Sequence, residues 1–174
     1  MIDFTKSKQY TLSIRLSTDG FAFSIYNPIH DDSLSIIEKE IDTSLSLTAN
    51  LKAVFHESDF LNHPYKRVNI MMASKRFTIA PLDLFEEGQA ELLFYHNHQK
   101  RENETVLYNI LRKNNVAVIF GIDKSAQTFL NEQYPEARFY SQSTPFIDYF
   151  SVKSRLGNSK KMYASVRKDG IDIY

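Results

Sequence analysis

Two stretches of the chain gather side chains able to hold a metal ion or move a proton. "HESDFLNH" carries His56, Glu57, Asp59 and His63, and "YHNHQK" carries His96 and His98. His56 and Asp59 stand one helical turn apart. The His-Glu-x-x-His order that sets two imidazoles and a general base on one helical face is absent. On a strand His96 and His98 would point the same way and share a metal. At the helix end predicted for them they lie about 200° apart, which reads as solvated histidines. No Gly-x-Ser-x-Gly elbow presents a nucleophilic serine. With five glycines in all, no phosphate-binding loop or dinucleotide fingerprint is present. The chain has no cysteine, so thiolate catalysis, disulfides and cysteine metal sites are excluded.

The strongest positional signal is a pair of similar segments. In "LSIRLSTDGFAFSIY" Leu12, Ile14 and Leu16 alternate with polar residues, and Phe21, Phe23 and Ile25 alternate on the return. That is the period of a strand, and Asp19-Gly20 between them predicts a type I′ hairpin turn. In "MYASVRKDGIDIY" Met162, Ala164 and Val166 precede Asp169-Gly170, and Ile171 and Ile173 follow. The second segment repeats the pattern of the first 150 positions later. The chain thus opens on a complete hairpin and closes on half of a similar unit.

The elements between them must position any site. A third strand is predicted over 34–41 and a helix at about 44–60, where Leu47, Leu51, Val54 and Phe55 follow helical spacing. "RVNIMMAS" and "RFTIAP" read as strands. Pro81 is expected near the start of a helix running through "LDLFEEGQAELLFYHN", with Leu82, Phe85, Ala90, Leu93 and Phe94 as its buried stripe. "TVLYNILR" and "VAVIFGID" read as strands around a Lys113-Asn114-Asn115 turn. Asp123 is the expected N-cap of a helix through "SAQTFLNEQY". "ARFYSQ" is a further strand, and Thr144 is expected to cap a last helix with Pro145 at its first position. The fold class is α/β with a mixed sheet: an antiparallel opening, a crossover helix, a parallel strand and an inserted α/β region. The expected divisions are 1–73, 74–140 and 141–174.

Bulk properties narrow the function classes. A chain of 174 residues buries roughly 70% of its unfolded surface and needs no covalent staple. Lys+Arg and Asp+Glu are both 21, so the basic surplus of a nucleic-acid binder is missing. No segment has the apolar length of a membrane span or the apolar core of a signal peptide. The expected location is the cytoplasm. Residues 151–168 hold Lys153, Arg155, Lys160, Lys161, Arg167 and Lys168 with no acid. Lys153, Arg155, Lys160 and Lys161 are a candidate docking patch for an acidic partner. The stretch holding Asp31, Asp32, Glu38, Glu40 and Asp42 has the opposite sign, which makes head-to-tail self-association conceivable.

"RFTIAPLDLFEE", "NETVLYNIL" and "SQSTPFIDYF" closely resemble a domain-of-unknown-function family found in Bacteroides and its relatives. Members of that family look like degenerate relatives of the actin-like ATPases, whose halves share a ribonuclease-H-like core. The resemblance implies two related halves, each opening with a strand-turn-strand unit, and a nucleotide cleft between them. It implies that this chain holds the first half, its insertion and the start of the second half of a longer protein. A version cut inside the repeat would expose apolar surface and an open strand edge, with self-association or lower stability as the expected result.

Active members of the superfamily set an aspartate near the end of the first strand of each hairpin, followed by a turn of small residues. Here Arg15 stands at the aspartate position and Ser17 at the first glycine position, with Thr18 following. In the second hairpin Ser165 takes the aspartate position and Arg167 enters the turn. An arginine can meet a phosphate but cannot hold the magnesium on which phosphoryl transfer depends. Carried through the resemblance, these residues predict a pseudo-ATPase with no metal and no cofactor: a non-catalytic actin-like scaffold or interaction module with a protein partner. The alternative is a nucleotide-binding, ATPase- or kinase-like protein with a rearranged site.

Overall fold

The computed structural model describes residues 2–29, 34–154, 161–167 and 170–173. β1 (Thr11–Ser17), β2 (Gly20–Tyr26) and β3 (Leu34–Lys39) form an antiparallel meander. α1 (Leu47–Glu57) crosses over, and β4 (Arg67–Ala73) returns parallel to β1. β8 (Arg138–Ser141) extends the sheet beside β4, again parallel, giving the order β3-β2-β1-β4-β8. The mixed sheet and the parallel return agree with the sequence reading.

One face of this sheet is the core. Leu12, Ile14 and Leu16 of β1 lie between Ile25, Phe23 and Phe21 of β2 and Val68, Ile70 and Met72 of β4. All nine are buried. α1 covers them with Leu51, Val54 and Phe55, and α3 (Lys124–Gln133) covers them with Ala126 and Leu130. Phe55 and Phe129 meet edge-on at 5.1 Å. The strict alternation along β1 is what sends one set of side chains inward and leaves Ser13 and Arg15 on the other face.

The inserted segment forms its own sheet, in the order β5-β7-β6. It comprises β5 (Phe77–Pro81), β6 (Glu104–Leu111) and β7 (Val116–Asp123), with α2 (Ala90–Asn97) packed on one side through Ala90 and Phe94. β7 leads directly into α3 on the main core. α4 (Ser143–Ser154) follows β8. Beyond it β9 (Ala164–Arg167) and β10 (Gly170–Ile173) pair as a separate two-stranded sheet. Gly170 pairs with Arg167 as Gly20 pairs with Ser17, so both hairpins have one register at the predicted offset. Leu16 and Phe21 are buried, whereas their counterparts Val166 and Ile171 are 74% and 63% exposed.

Several local expectations are corrected. The first hairpin's two loop residues are Thr18 and Asp19, because Gly20 already pairs with Ser17. Neither loop residue has positive φ, so the turn is not type I′. Gly20 has φ +148°, and a Cβ there would stand 2.8 Å from the Lys39 carbonyl oxygen. It is glycine because β3 passes so close. The crossover helix begins at Leu47, with the Ser46 hydroxyl accepting from the Ala49 amide at 3.1 Å, and ends at Glu57. A short 3₁₀ turn, Asp59–Asn62, takes up the rest. Pro81 ends edge strand β5, where a missing N–H is tolerated. Two 3₁₀ turns separate it from α2, which starts only at Ala90, after Gly88. α4 starts at Ser143, and Thr144 does not cap it: its hydroxyl donates to Asn109 Oδ1 at 2.7 Å. The Asp123 cap is as expected, its Oδ1 accepting from the Ala126 amide at 2.8 Å.

Candidate functional site

Ser17 and Thr18 line a cavity of about 410 Å³ at the carboxyl ends of β1 and β4. Met72, Ala73 and Ser74 form its β4 side, Thr43 and Leu45 close it from the segment leading into α1, and Asn50 closes it from the first turn of α1. The inserted segment supplies the opposite wall, with Glu104, Gly121 and Asp123 from its sheet and Arg76 and Arg101 from the loops that lead into it. Ligand clefts in open α/β sheets form outside the carboxyl ends of the strands, where connections leave in different directions. β1, flanked by antiparallel β2 and parallel β4, provides such a point.

The cavity's charges are tied together within the protein. Arg76 Nε and Nη2 donate to the two oxygens of Glu104, each at 2.7 Å, and Nη2 also reaches the Gln99 carbonyl at 2.8 Å. The Glu104 side chain is 6% exposed and that of Arg76 17%. Hydrogen bonding to Glu104 pushes the Arg76 guanidinium above its ordinary value, holding it charged. The guanidinium also lies over the Phe94 ring. Gly121 leaves room for the pair, since a Cβ there would run into the Glu104 carboxylate. Asp123 accepts from Ala126 N through Oδ1 and from Asn103 Nδ2 at 2.7 Å through Oδ2. Thr48 Oγ1 lies 3.4 Å from Oδ1.

Arg15 does not line this cavity. It points from the outer face of the sheet into a groove of about 640 Å³ shared with Ser13, Ser24, Asn69, Tyr140 and Pro145. Its guanidinium lies 3.7 Å from Asp19. Ser165 sits on β9 opposite Asp172. Arg167 ends β9, and its side chain lies outside the described residues. Of the degenerate nucleotide-site positions, the structure therefore brings together Ser17 and Thr18. Of the basic patch, Lys153 and Lys161 meet, Lys161 Nζ donating to the Lys153 carbonyl at 3.2 Å. Arg155 and Lys160 lie outside the described residues, as do Lys168, Asp169, Asp31 and Asp32.

Two of the four histidines of the opening motifs, His63 and His98, are engaged elsewhere, and His56 and His96 are exposed. His63 stacks on Phe4 at 5.0 Å and lies 3.6 Å from Asp59. His98 packs against Phe94, with Nε2 3.1 Å from the Phe77 carbonyl oxygen. Sequence reasoning missed Arg76, Arg101 and Glu104. The signal available to it was the alternating strand pattern of "NETVLYNIL", which sets Glu104 at a strand end opposite Asp123.

The topology is that of the actin-like ATPase fold. A crystal structure of a Bacteroides thetaiotaomicron VPI-5482 protein, described as having an actin-like ATPase fold and unknown function, superposes with a TM-score of 0.94. It is 84% identical over 100% of this chain, which covers 68% of that one. The chain matches the family described as Protein of unknown function (DUF3822) over residues 1–174, and it belongs to that family. No curated protein matches it. Among the described residues no helix is long and apolar enough to cross a membrane.

Proposed function

We propose that the protein is a non-catalytic actin-like scaffold, a pseudo-ATPase that acts through protein contacts. The observation that carries this reading is the state of the two carboxylates facing the cavity. Glu104 is held bidentately by Arg76, and Asp123 has a donor on each oxygen while it caps α3. Magnesium needs oxygen ligands that are free to turn toward it. This donor set does not fit the ion, and Arg15 and Ser165 stand where the resemblance expects aspartates. Without a metal nothing bridges the β- and γ-phosphate oxygens, a part that phosphoryl transfer in this chemistry depends on.

The basic stretch around Lys153 and Lys161 is the proposed docking patch for an acidic protein partner, in the cytoplasm. Capture experiments with wild type and with Lys153→Glu/Lys161→Glu test this directly. Loss of a captured partner, with wild-type capture weakening as salt rises, supports the patch. Capture unchanged by the double reversal contradicts it.

A further inference from the structure

We propose that the groove at the amino ends of β4 and β8 docks an extended acidic segment of a protein partner, held by Lys66, Arg67 and Arg138. The inference rests on the scaffold reading and gives it a second contact surface, at the opposite end of β4 from the Ser17–Thr18 cavity.

The groove, of about 480 Å³, lies between the two loops that feed the parallel strands at the sheet edge. One loop reads Pro64-Tyr65-Lys66-Arg67 and the other Tyr134-Pro135-Glu136-Ala137-Arg138. Each brings a proline, a tyrosine and an arginine to the lining. The tyrosines are fixed from within. Tyr65 Oη donates to the Phe60 carbonyl at 2.7 Å, and Tyr134 Oη donates to the Leu61 carbonyl at 2.6 Å. Pro64 and Pro135 are exposed, and their ring closure fixes φ. These walls are set before a ligand arrives, so docking orders little of the protein. Tyrosine and proline surfaces of this kind receive extended, polyproline-type chains.

The charge on the groove is one-sided. Lys66, Arg67 and Arg138 are exposed on it, against the single acid Glu136. The whole chain balances 21 bases with 21 acids, so the excess is local. Arg138 stands in register with Asn69, two residues from Arg67, which puts both arginines on one sheet face as diagonal neighbours of adjacent strands. Like charges on neighbouring strands repel, and an acidic ligand between them turns that repulsion into attraction. Each guanidinium also presents a planar fork that fits a carboxylate. A segment that alternates carboxylates with proline or apolar residues uses both the cations and the walls. A phosphate backbone or a lipid headgroup uses the cations alone.

Fluorescence anisotropy of the intact protein with short labelled peptides of alternating Glu-Pro, Gln-Pro or Lys-Pro tests this. Saturable millimolar or tighter binding of the Glu-Pro peptide alone, weakening as salt rises, is expected. Arg67→Gln/Arg138→Gln should weaken it roughly tenfold, as for the loss of two exposed charge pairs. Lys52→Gln/Lys124→Gln, an equal loss of charge on α1 and α3, should match wild type. Thermal melts confirm that each variant folds. No saturable binding, equal binding of the Gln-Pro peptide, or binding indifferent to the two arginines overturns the proposal and leaves the scaffold reading standing. Binding lost on Lys153→Glu/Lys161→Glu instead overturns it in favour of that patch. Arginine-dependent binding of phosphatidylserine vesicles or single-stranded oligothymidine, with none of the peptide, identifies a lipid surface or a nucleic acid and overturns it too. Turnover of Mg-ATP overturns the scaffold reading on which the proposal rests, and is measured separately from the peptide.

Discussion

Asn109 of β6 pairs with the backbone of β8 around Ser141 as a neighbouring strand would. Its Oδ1 accepts from the Ser141 amide at 3.0 Å, and its Nδ2 donates to the Phe139 carbonyl at 2.9 Å. Thr144 Oγ1 adds a third bond to Oδ1 at 2.7 Å. One side chain thus joins the inserted sheet to the edge of the main sheet and to the first turn of α4. Asn109→Ala leaves buried groups of β8 without partners and should cost about 3 kcal/mol. Asn109→Asp should cost a similar amount, because it trades the donor for a charge. Urea unfolding measures both, and a loss below about 0.5 kcal/mol, the range of ordinary surface substitutions, would contradict the joint.

The Arg76–Glu104 pair makes a second, separable prediction. Removing Arg76 alone strands a nearly buried carboxylate and should destabilise by about 3–5 kcal/mol. Arg76→Met with Glu104→Leu should recover much of that loss, since an apolar pair of similar volume needs no compensation. A double variant as unstable as Arg76→Ala would show that the pair itself, rather than the stranded charge, holds the wall. Gly121→Ala should be destabilising in wild type and better tolerated once Glu104 is shortened to Ala.

How much of this was legible in the sequence depends on range. Leu12, Ile14 and Leu16 announced a strand because period two is a local property, and Asp123 announced a cap because its partner Ala126 is three residues on. The helix expected through "LDLFEEGQAELLFYHN" forms only over Ala90–Asn97, because the apolar residues before it also fit short turns, and Gly88 and Pro81 favour those turns. The type I′ turn failed because Gly20 answers to the Lys39 carbonyl, 19 positions away in the chain. Arg76 and Glu104 are separated by 28 positions, and nothing in either neighbourhood names the other. The cavity was therefore half visible, through Ser17 and Thr18, while the inserted wall with Arg101 emerged only once the two sheets were placed together.

Tyr65 predicts an alkaline limit to stability. Its hydroxyl donates to the Phe60 carbonyl at 2.7 Å, and burial pushes its pKa up to about 12 from 10.0. The folded state therefore retains the phenolic proton after the unfolded chain has released it. The resulting stability is fully present below pH 10 and disappears as pH rises toward 12. Burial also raises the Tyr134 pKa, and its hydroxyl donates to the Leu61 carbonyl at 2.6 Å. Denaturant midpoints measured from neutral pH into this window should fall, and fall less steeply in Tyr65→Phe. Identical slopes in the two proteins would contradict the assignment to Tyr65.

The central claim is that this actin-like fold does not carry out phosphoryl transfer, and steady-state phosphate release from Mg-ATP by the purified chain tests it most directly. The account predicts release indistinguishable from buffer, and no change on Arg15→Ala or Thr18→Ala. Sustained hydrolysis that either substitution abolishes would contradict it: loss with Thr18→Ala would place a working catalytic centre in the cavity beside Arg76, Glu104 and Asp123, and loss with Arg15→Ala would place one in the groove on the outer face of the sheet.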